Sequence, residues 1–447
     1  MSADLLGIGT SGLRAARAAL EIAGDNVANA STAGYARRSL VQVTGQAGAA
    51  MTPLSRSLSA GVGVDVTGLR RISDAFRNTD VRNASGEAGR STALQDWLEP
   101  LHSALPFGDA AIGAGIGALF DAGSAVAADP GALAPRTVFL AAADSLASRF
   151  RLAALKVADQ RAGVATAITA AAARISSLAR TLATTNSDAR RVASQTAEAA
   201  TIADRRDALL DELHGLIAVR STVGVDGSVD VRFASGTALV TGSEAATVVA
   251  RDGPAGFQII TDPYGSSAAT QSSDSGTLAG LFGAARRGLE AGQALDRLAA
   301  SVSSTLNTAH EAGADLESNP GLSLFAGTSA ATLSVPITDP RQVAAAAPPG
   351  PDGNQAMLTL ISVRDAGFAD IYDAEVTTLA NAFATAREDG AAAVTARDAA
   401  LAARDAVSGV NLDEEAADIL RFQQAYQAAA RIVSTARTLF DTLFDIR

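Results

Sequence analysis

Apolar residues recur along most of this chain at spacings of three and four, the period of an α-helix. Near the start, Leu13, Ala16, Leu20, Ala23 and Val27 fall on one narrow stripe. A seam of that width belongs to a coiled coil, whereas a helix lying on a large core shows a broader apolar face. The Asn, Ser, Thr and Gly cluster over 29–34 predicts the end of this helix. The far end of the chain repeats the theme. Leu412, Ala416, Ile419, Phe422, Tyr426, Ala429, Val433, Ala436, Phe440 and Leu443 form a second narrow stripe. Asn411 suits its N-cap, and Asp413, Glu414 and Glu415 suit the positive end of the helix dipole. Neither stripe is wide enough to lie on a central core, so the two ends are expected to pair with each other.

Between the ends the pattern predicts further long helices. One begins at Ser73. Another begins near "DPGALAPRTVFL", with Asp129 as N-cap and Pro130 at the first helical position. From there Phe139, Leu146, Phe150, Val157, Val164, Ile168, Ile175 and Leu182 keep near-heptad spacing, enough for a helix roughly 65 Å long. Further helices are expected from about Ala197 and Leu278. Period-two alternation marks strands in "RRSLVQVTG" and "GVGVDVTGL", where Gly61 and Gly63 suggest a turn or bulge. It recurs over 219–242, with a hairpin at Gly224 to Gly227, in "GFQIIT" and in "ATLSVPI". These strands are short and poor in large aliphatics, so they are expected to bury Val229, Val231, Phe233, Leu239 and Val240 against the long helices.

The expected fold is therefore mainly α with a smaller β part (α+β). Residues 1–38 with 406–447 would make a coiled-coil domain of paired terminal helices. Residues 39–405 would make one elongated helical-bundle domain, with β-rich segments at about 216–275 and 320–360. No apolar run reaches the 18 or so residues of a membrane span, and the opening residues lack the basic and apolar regions of a secretory signal peptide.

Composition narrows the chemistry. Of 447 residues none is cysteine, which excludes disulfide frameworks, thiolate metal sites and cysteine nucleophiles. Net charge is −11, which disfavours nucleic acid and anionic membrane surfaces as partners. Basic residues are almost all Arg; the single lysine is Lys156, which lowers the case for a P-loop or Schiff-base enzyme. His102, His214 and His310 match no metal spacing and are read as surface or helix-end residues. "GAGIGALF" (113–120) follows no strand and precedes no lysine, so it reads as a flexible helix entry and not a phosphate loop. No catalytic, cofactor-binding or metal residue is assigned, and no enzyme activity is expected.

The termini carry more than periodicity. "LLGIGTSGLRAARAALEIAGDNVANASTAGYARR" resembles the N-terminal signature of the flagellar rod, hook and hook-associated proteins, through Asp25, Asn26, Asn29, Gly34 and Tyr35. The family usually has Pro before that glycine; here Ala33 stands instead. "VNLDEEAADILRFQQAYQAAAR" is similar to the matching C-terminal signature, and internal segments such as "ADRRDALLDELHGLIAVR" resemble hook-associated members. The resemblance covers nearly the whole chain. It implies a structural protein at the hook–filament junction, with the paired terminal helices as an inner domain, D0, and the helical body as D1. Its partners would be a ring of its own copies, hook protein, hook-associated protein 3, and an export chaperone on the C-terminal helix, with no nucleic acid, membrane or cofactor. It would be extracellular, exported through the flagellar type III channel without a cleaved signal. Longer relatives insert a β-rich domain between Phe325 and Ala331; only Ala326 to Ala330 stand there in this chain, so no separate outer β domain is expected. The rival readings are a hook or distal-rod protein and, from a different class, an adhesin on a helical stalk.

Overall fold

The computed structural model describes all residues except 1, 33, 46–62, 254–255, 263–268, 349, 351–352 and 446–447. Side chains of 2–4, 253, 256, 269 and 443–445 are also outside the description. Thus Ala33 and Gly61 fall outside the described residues, as does the Leu443 side chain.

Helix α1 (Ser2–Ala28) is followed by strands β1 (Arg38–Thr44) and β2 (Val64–Arg71). Then come α2 (Ala75–Ala104), α3 (Ile112–Ala128), α4 (Leu133–Ala189) and α5 (Ala197–Leu216). The β region comprises β3 (Val219–Val223), β4 (Val229–Phe233), β5 (Ala238–Thr241), β6 (Glu244–Ala245), β7 (Thr247–Gly253), β8 (Gly256–Asp262) and β9 (Ala269–Gln271). Helices α6 (Thr277–Glu311), α7 (Gln355–Ser362), α8 (Phe368–Ser408) and α9 (Leu412–Asp445) complete the chain. All sheet pairings are antiparallel, in the orders β1-β2, β3-β4-β5-β6 and β7-β8-β9. The hairpin between β3 and β4 turns at Gly224 to Gly227, where Gly227 takes φ +77°.

Helix α4 is the spine. Its 57 residues span about 85 Å at 1.5 Å per residue. Through Phe139, Leu146, Phe150 and Val157 its first half fills an all-helical core with Leu98, Leu119, Phe120, Val302 and Tyr372. Its second half, through Val164, Ile168, Ile175 and Leu182, takes Leu210 and Leu213 of α5 and the strands. Val229, Val231, Phe233, Leu239 and Val240 are all buried there. Asn186 ties the sheet to the helix: its Nδ2 donates to Val229 O (2.8 Å) and its Oδ1 accepts from Val229 N (2.8 Å).

The structure corrects several expectations. Asp129 does not cap α4. Its own N–H closes the end of α3 on Ala125 O, and α4 starts at Leu133, which puts Pro135 in a first turn whose N–H groups have no helical partner anyway. The stretch "GAGIGALF" lies inside α3, where Gly113 and Gly115 are buried against α8 and α4. Among the described residues of 320–360 the expected strands, including "ATLSVPI", do not form; the segment has 3-10 turns at Ala330–Thr332 and Pro340–Gln342, isolated bridges, and the start of α7 at Gln355. Helix side chains take the place of partner strands in satisfying its backbone. Asn307 both donates to and accepts from Phe325, at 2.8 Å each, and Arg151 donates to Leu333 O at 2.6 Å. Leu324, Phe325, Leu333, Ile337 and Val343 thereby drop into the helical core.

His310 is likewise no surface residue. It is buried, its Nδ1 2.6 Å from Leu322 O while its Nε2 accepts from Ala344 N at 2.9 Å, and burial pushes its pKa down. Helix α4 is also long and apolar enough by composition to cross a membrane, its best 18-residue window having mean hydropathy 1.3, contrary to the expectation that none would be. Alanine carries that hydropathy, and in the fold α4 is the core helix.

Candidate assembly site: the terminal-helix pair and its joint with the body

Helices α1 and α9 pack along one another in antiparallel fashion. The path of contact is marked by small residues. A β-carbon on Gly9 would lie 2.8 Å from Val433 Cγ2, and one on Gly12 would lie 3.4 Å from Ala429 Cβ. Further along, Ala16, Ala19 and Ala23 are buried, and Asn26 meets Glu415. The seam on α1 thus runs Gly9, Gly12, Ala16, Ala19, Ala23, Asn26, a three-four spacing that lets the backbones approach closely.

The large aliphatics expected in the seam flank it instead. Of the predicted α1 positions Ala16 and Ala23 are buried, Leu13 and Leu20 are half-buried, and Val27 is exposed. On α9, Ala436 and Ala429 are buried, while Ile419, Phe422, Val433 and Phe440 are half-buried. Leu412, Ala416 and Tyr426 are exposed, so within this chain they do not close the helix pair. Choosing bulky apolar residues misplaces the stripe by part of a turn, because glycine carries no apolar signal though it makes the closest contact.

At the root of the pair, the family-signature residues build a joint with the body. Asn26 is buried; its Nδ2 donates to Arg38 O (3.0 Å) and to Glu415 Oε2 (3.2 Å). Its Oδ1 accepts from Arg38 N (3.0 Å) and from the Tyr35 hydroxyl (2.8 Å). Burial, against the opposing Arg38 guanidinium stacked 4.8 Å from the ring centroid, pushes the Tyr35 pKa up. Glu415 is itself buried and accepts from Arg37 Nε at 2.6 Å. Asn29 Nδ2 caps back onto Asp25 O (2.9 Å), and Gly34 takes φ +79°, which turns the chain out of α1 and into β1. As expected, Asn411 caps α9, accepting from Asp413 N at 3.0 Å.

Below the joint runs a ladder of ion pairs that sequence reading missed. Asp204, Asp207 and Asp211 line one face of α5. Arg38 and Arg71 bind Asp204 at 2.9 and 2.6 Å. Arg71 and Arg82 bind Asp207 at 2.8 and 3.2 Å. Arg82 and Arg404 bind Asp211 at 2.9 and 2.7 Å. The spacing of the three aspartates on one helical face was the available signal. Burial raises the Asp207 pKa, but Arg71, Arg206 and Arg82 outweigh it and hold the carboxyl below its usual value. Four elements, β1, β2, α2 and α8, are thereby fastened to α5 where the terminal pair begins. Among the described residues no group of three His, Asp or Glu side chains is placed to hold a metal ion.

Comparisons with known proteins point to one family. The family described as "Flagellar hook-associated protein FlgK helical domain" matches residues 98–325. "Flagella basal body rod protein" matches 6–35, and "Flagellar basal body rod FlgEFG protein C-terminal" matches 405–446. The chain is 24% identical to flagellar hook-associated protein 1 of Escherichia coli (strain K12), over 99% of this chain and 100% of that protein. It is 23% identical to the protein of that name from Salmonella typhimurium, with the same coverage. A solved structure of the flagellar hook junction protein FlgK from Burkholderia pseudomallei matches with TM-score 0.49 and 23% identity, over 56% of this chain and 46% of that one. With a family match over half of its length, through the body between the two signatures, this chain belongs to the flagellar hook-associated protein FlgK family.

Proposed function

We propose that this protein is a structural subunit of the bacterial flagellum that joins hook to filament, and that its copies assemble through their terminal helices. The observation that carries this reading is the α1–α9 pair. It is closed internally by glycine, alanine and Val433 and leaves Leu5, Val27, Leu412, Leu420, Tyr426 and Leu439 exposed on its outer faces. So many exposed aliphatic and aromatic side chains on two slender helices mark a surface that neighbouring subunits cover. Within this reading residues 1–38 and 406–447 form D0, and 39–405 form D1. The interface is made by Leu420 and the flanking residues Leu13, Leu20, Val27, Leu412, Ala416, Ile419, Phe422, Tyr426 and Phe440, while Ala16, Ala23, Val433 and Ala436 hold the pair together.

The proposed contacts are with copies of the chain in a ring, with hook protein on one side and hook-associated protein 3 on the other, outside the cell after type III export. An export chaperone would hold α9 beforehand. The protein has a structural role and no enzymatic one. Labelled antibody against the body domain, imaged on isolated hook–basal bodies, tests the placement: label at the distal hook end is expected, and label along the hook or rod would refute it. Leu420→Asp tests the interface. Its exposure makes it harmless to the monomer, whereas in a covered surface a desolvated carboxylate blocks filament attachment.

A further inference from the structure

We infer that Asn26 and Glu415 act as the register lock of the chain's two ends, making the ordering of each terminal helix conditional on the other and on β1. The inference does not depend on where in the flagellum the subunit sits. It starts from a chemical oddity: the α1 side of the α1–α9 seam is glycine and alanine along its length, yet the seam ends in a buried carboxamide and a buried carboxylate.

A seam of small residues specifies register poorly. Over Ala16, Ala19 and Ala23, sliding one helix past the other by a turn exchanges alanine for alanine, with little change in buried area; of the apolar contacts only that of Gly9 with Val433 resists the slip. A buried polar group does specify register, because any slip leaves its donors and acceptors without partners. Asn26 has the full set of bonds that its carboxamide geometry favours. Its two donor bonds go to Arg38 O and Glu415 Oε2, and its two acceptor bonds come from Arg38 N and the Tyr35 hydroxyl. Through Arg38 N and O it reads the β1 backbone, through Tyr35 the turn that leaves α1, and through Glu415 the first turn of α9. Glu415 is tied in turn to Arg37, and the Arg37 N–H donates to Ser408 O at the end of α8 (2.8 Å). One carboxamide therefore joins α1, α9 and the body, and a slip or detachment of either helix breaks bonds belonging to the other two. This gives a physical role to both signatures: Asn26 of the first, itself held by Tyr35, meets Glu415 of the second.

Amide hydrogen exchange on the full-length monomer tests the lock, with peptides from 19–28, from 412–422 and, as a folding control, from 139–157. Glu415→Gln keeps shape and removes charge; it should speed exchange in 19–28, a segment it does not alter, by about tenfold, as expected for losing a charge-assisted hydrogen bond. Asn26→Asp sets a carboxylate against Glu415 and should speed exchange in 412–422 at least as much. In the double variant Asn26→Asp with Glu415→Gln, the glutamine amide can donate to the aspartate, so exchange in 412–422 should slow again relative to Asn26→Asp alone. Packing alone would not produce that rescue. Effects confined to the peptide carrying each substitution, or a double variant no slower than Asn26→Asp, would overturn the inference.

Discussion

Gly9 of α1 lies so close to Val433 of α9 that an added β-carbon would sit 2.8 Å from Val433 Cγ2 and 3.2 Å from the Val433 backbone nitrogen. Gly7, two residues earlier and so on the opposite side of the helix, would meet nothing within 4 Å. The same residue type in the same helix thus has opposite roles. Gly9→Val should loosen the pair by about 1–3 kcal/mol through overpacking, whereas Gly7→Ala should leave it intact or stabilise it by up to about 1 kcal/mol through helix propensity. Hydrogen exchange in α9 peptides of the two variants checks this. Equal behaviour would show that the seam does not run through Gly9.

The carboxylate ladder makes the joint sensitive to acid. The folded-state pKa of Asp207 is held below its unfolded value of 3.8, so its stabilisation is present above that pH and is lost as pH falls through the folded value. Asp207→Asn removes it at every pH and leaves Arg71 and Arg82 short of a carboxylate. A loss of about 3 kcal/mol is expected at neutral pH, shrinking towards zero at the acid end. Thermal unfolding of wild type and variant between pH 2 and 7 measures the difference; a gap that does not narrow on acidification would contradict the assignment.

His310 acts in a higher window. It is buried neutral between Leu322 O and Ala344 N, and burial depresses its pKa below 6.5. The folded state therefore binds fewer protons than the unfolded one below that pH. Its contribution is complete above about 6.5 and declines as pH falls towards the folded pKa. His310→Gln should flatten the stability profile below about pH 6.5, and should loosen the irregular segment that His310 holds at both ends. Urea unfolding at stepped pH reads both effects.

Gly163 sits under Trp97, where α4 passes from one core to the other; a β-carbon would lie 2.6 Å from Trp97 Cζ3. Gly163→Val should push the indole out and cost about 2 kcal/mol, more than valine's ordinary helix penalty. Tryptophan fluorescence reports this directly, since Trp97 is the only tryptophan. An unshifted emission spectrum would refute the close contact.

Residue pattern alone determined much of this molecule. The long helices, the terminal stripes and the Asn411 cap are local matters, settled by periodicity and by hydrogen bonds within a few residues. The hairpin at Gly224 to Gly227 and the inward faces of Val229 to Val240 were legible for the same reason: alternation fixes which side of a strand is buried. The signatures at the ends resemble flagellar rod, hook and hook-associated proteins alike, and the internal segments narrow that resemblance to the hook-associated members.

Tertiary structure decided the rest, because each remaining feature depends on groups far apart in sequence. Which stripe of α1 becomes the seam is set by how closely α9 can approach, and Gly9 permits what Leu13 would prevent. Residues 320–360 read as strands, but Asn307, His310 and Arg151 already supply their hydrogen-bond partners, so no ladder forms. Asp204, Asp207 and Asp211 look like an ordinary solvated helix face until Arg38, Arg71, Arg82 and Arg404 arrive from four other elements. Asn26 stands in the sequence as a signature residue without a visible partner; only folding brings Glu415 to it across nearly the whole chain. A buried polar contact has no periodicity to betray it, since its energy comes from the partner and from the exclusion of water, and neither is written in the neighbouring residues.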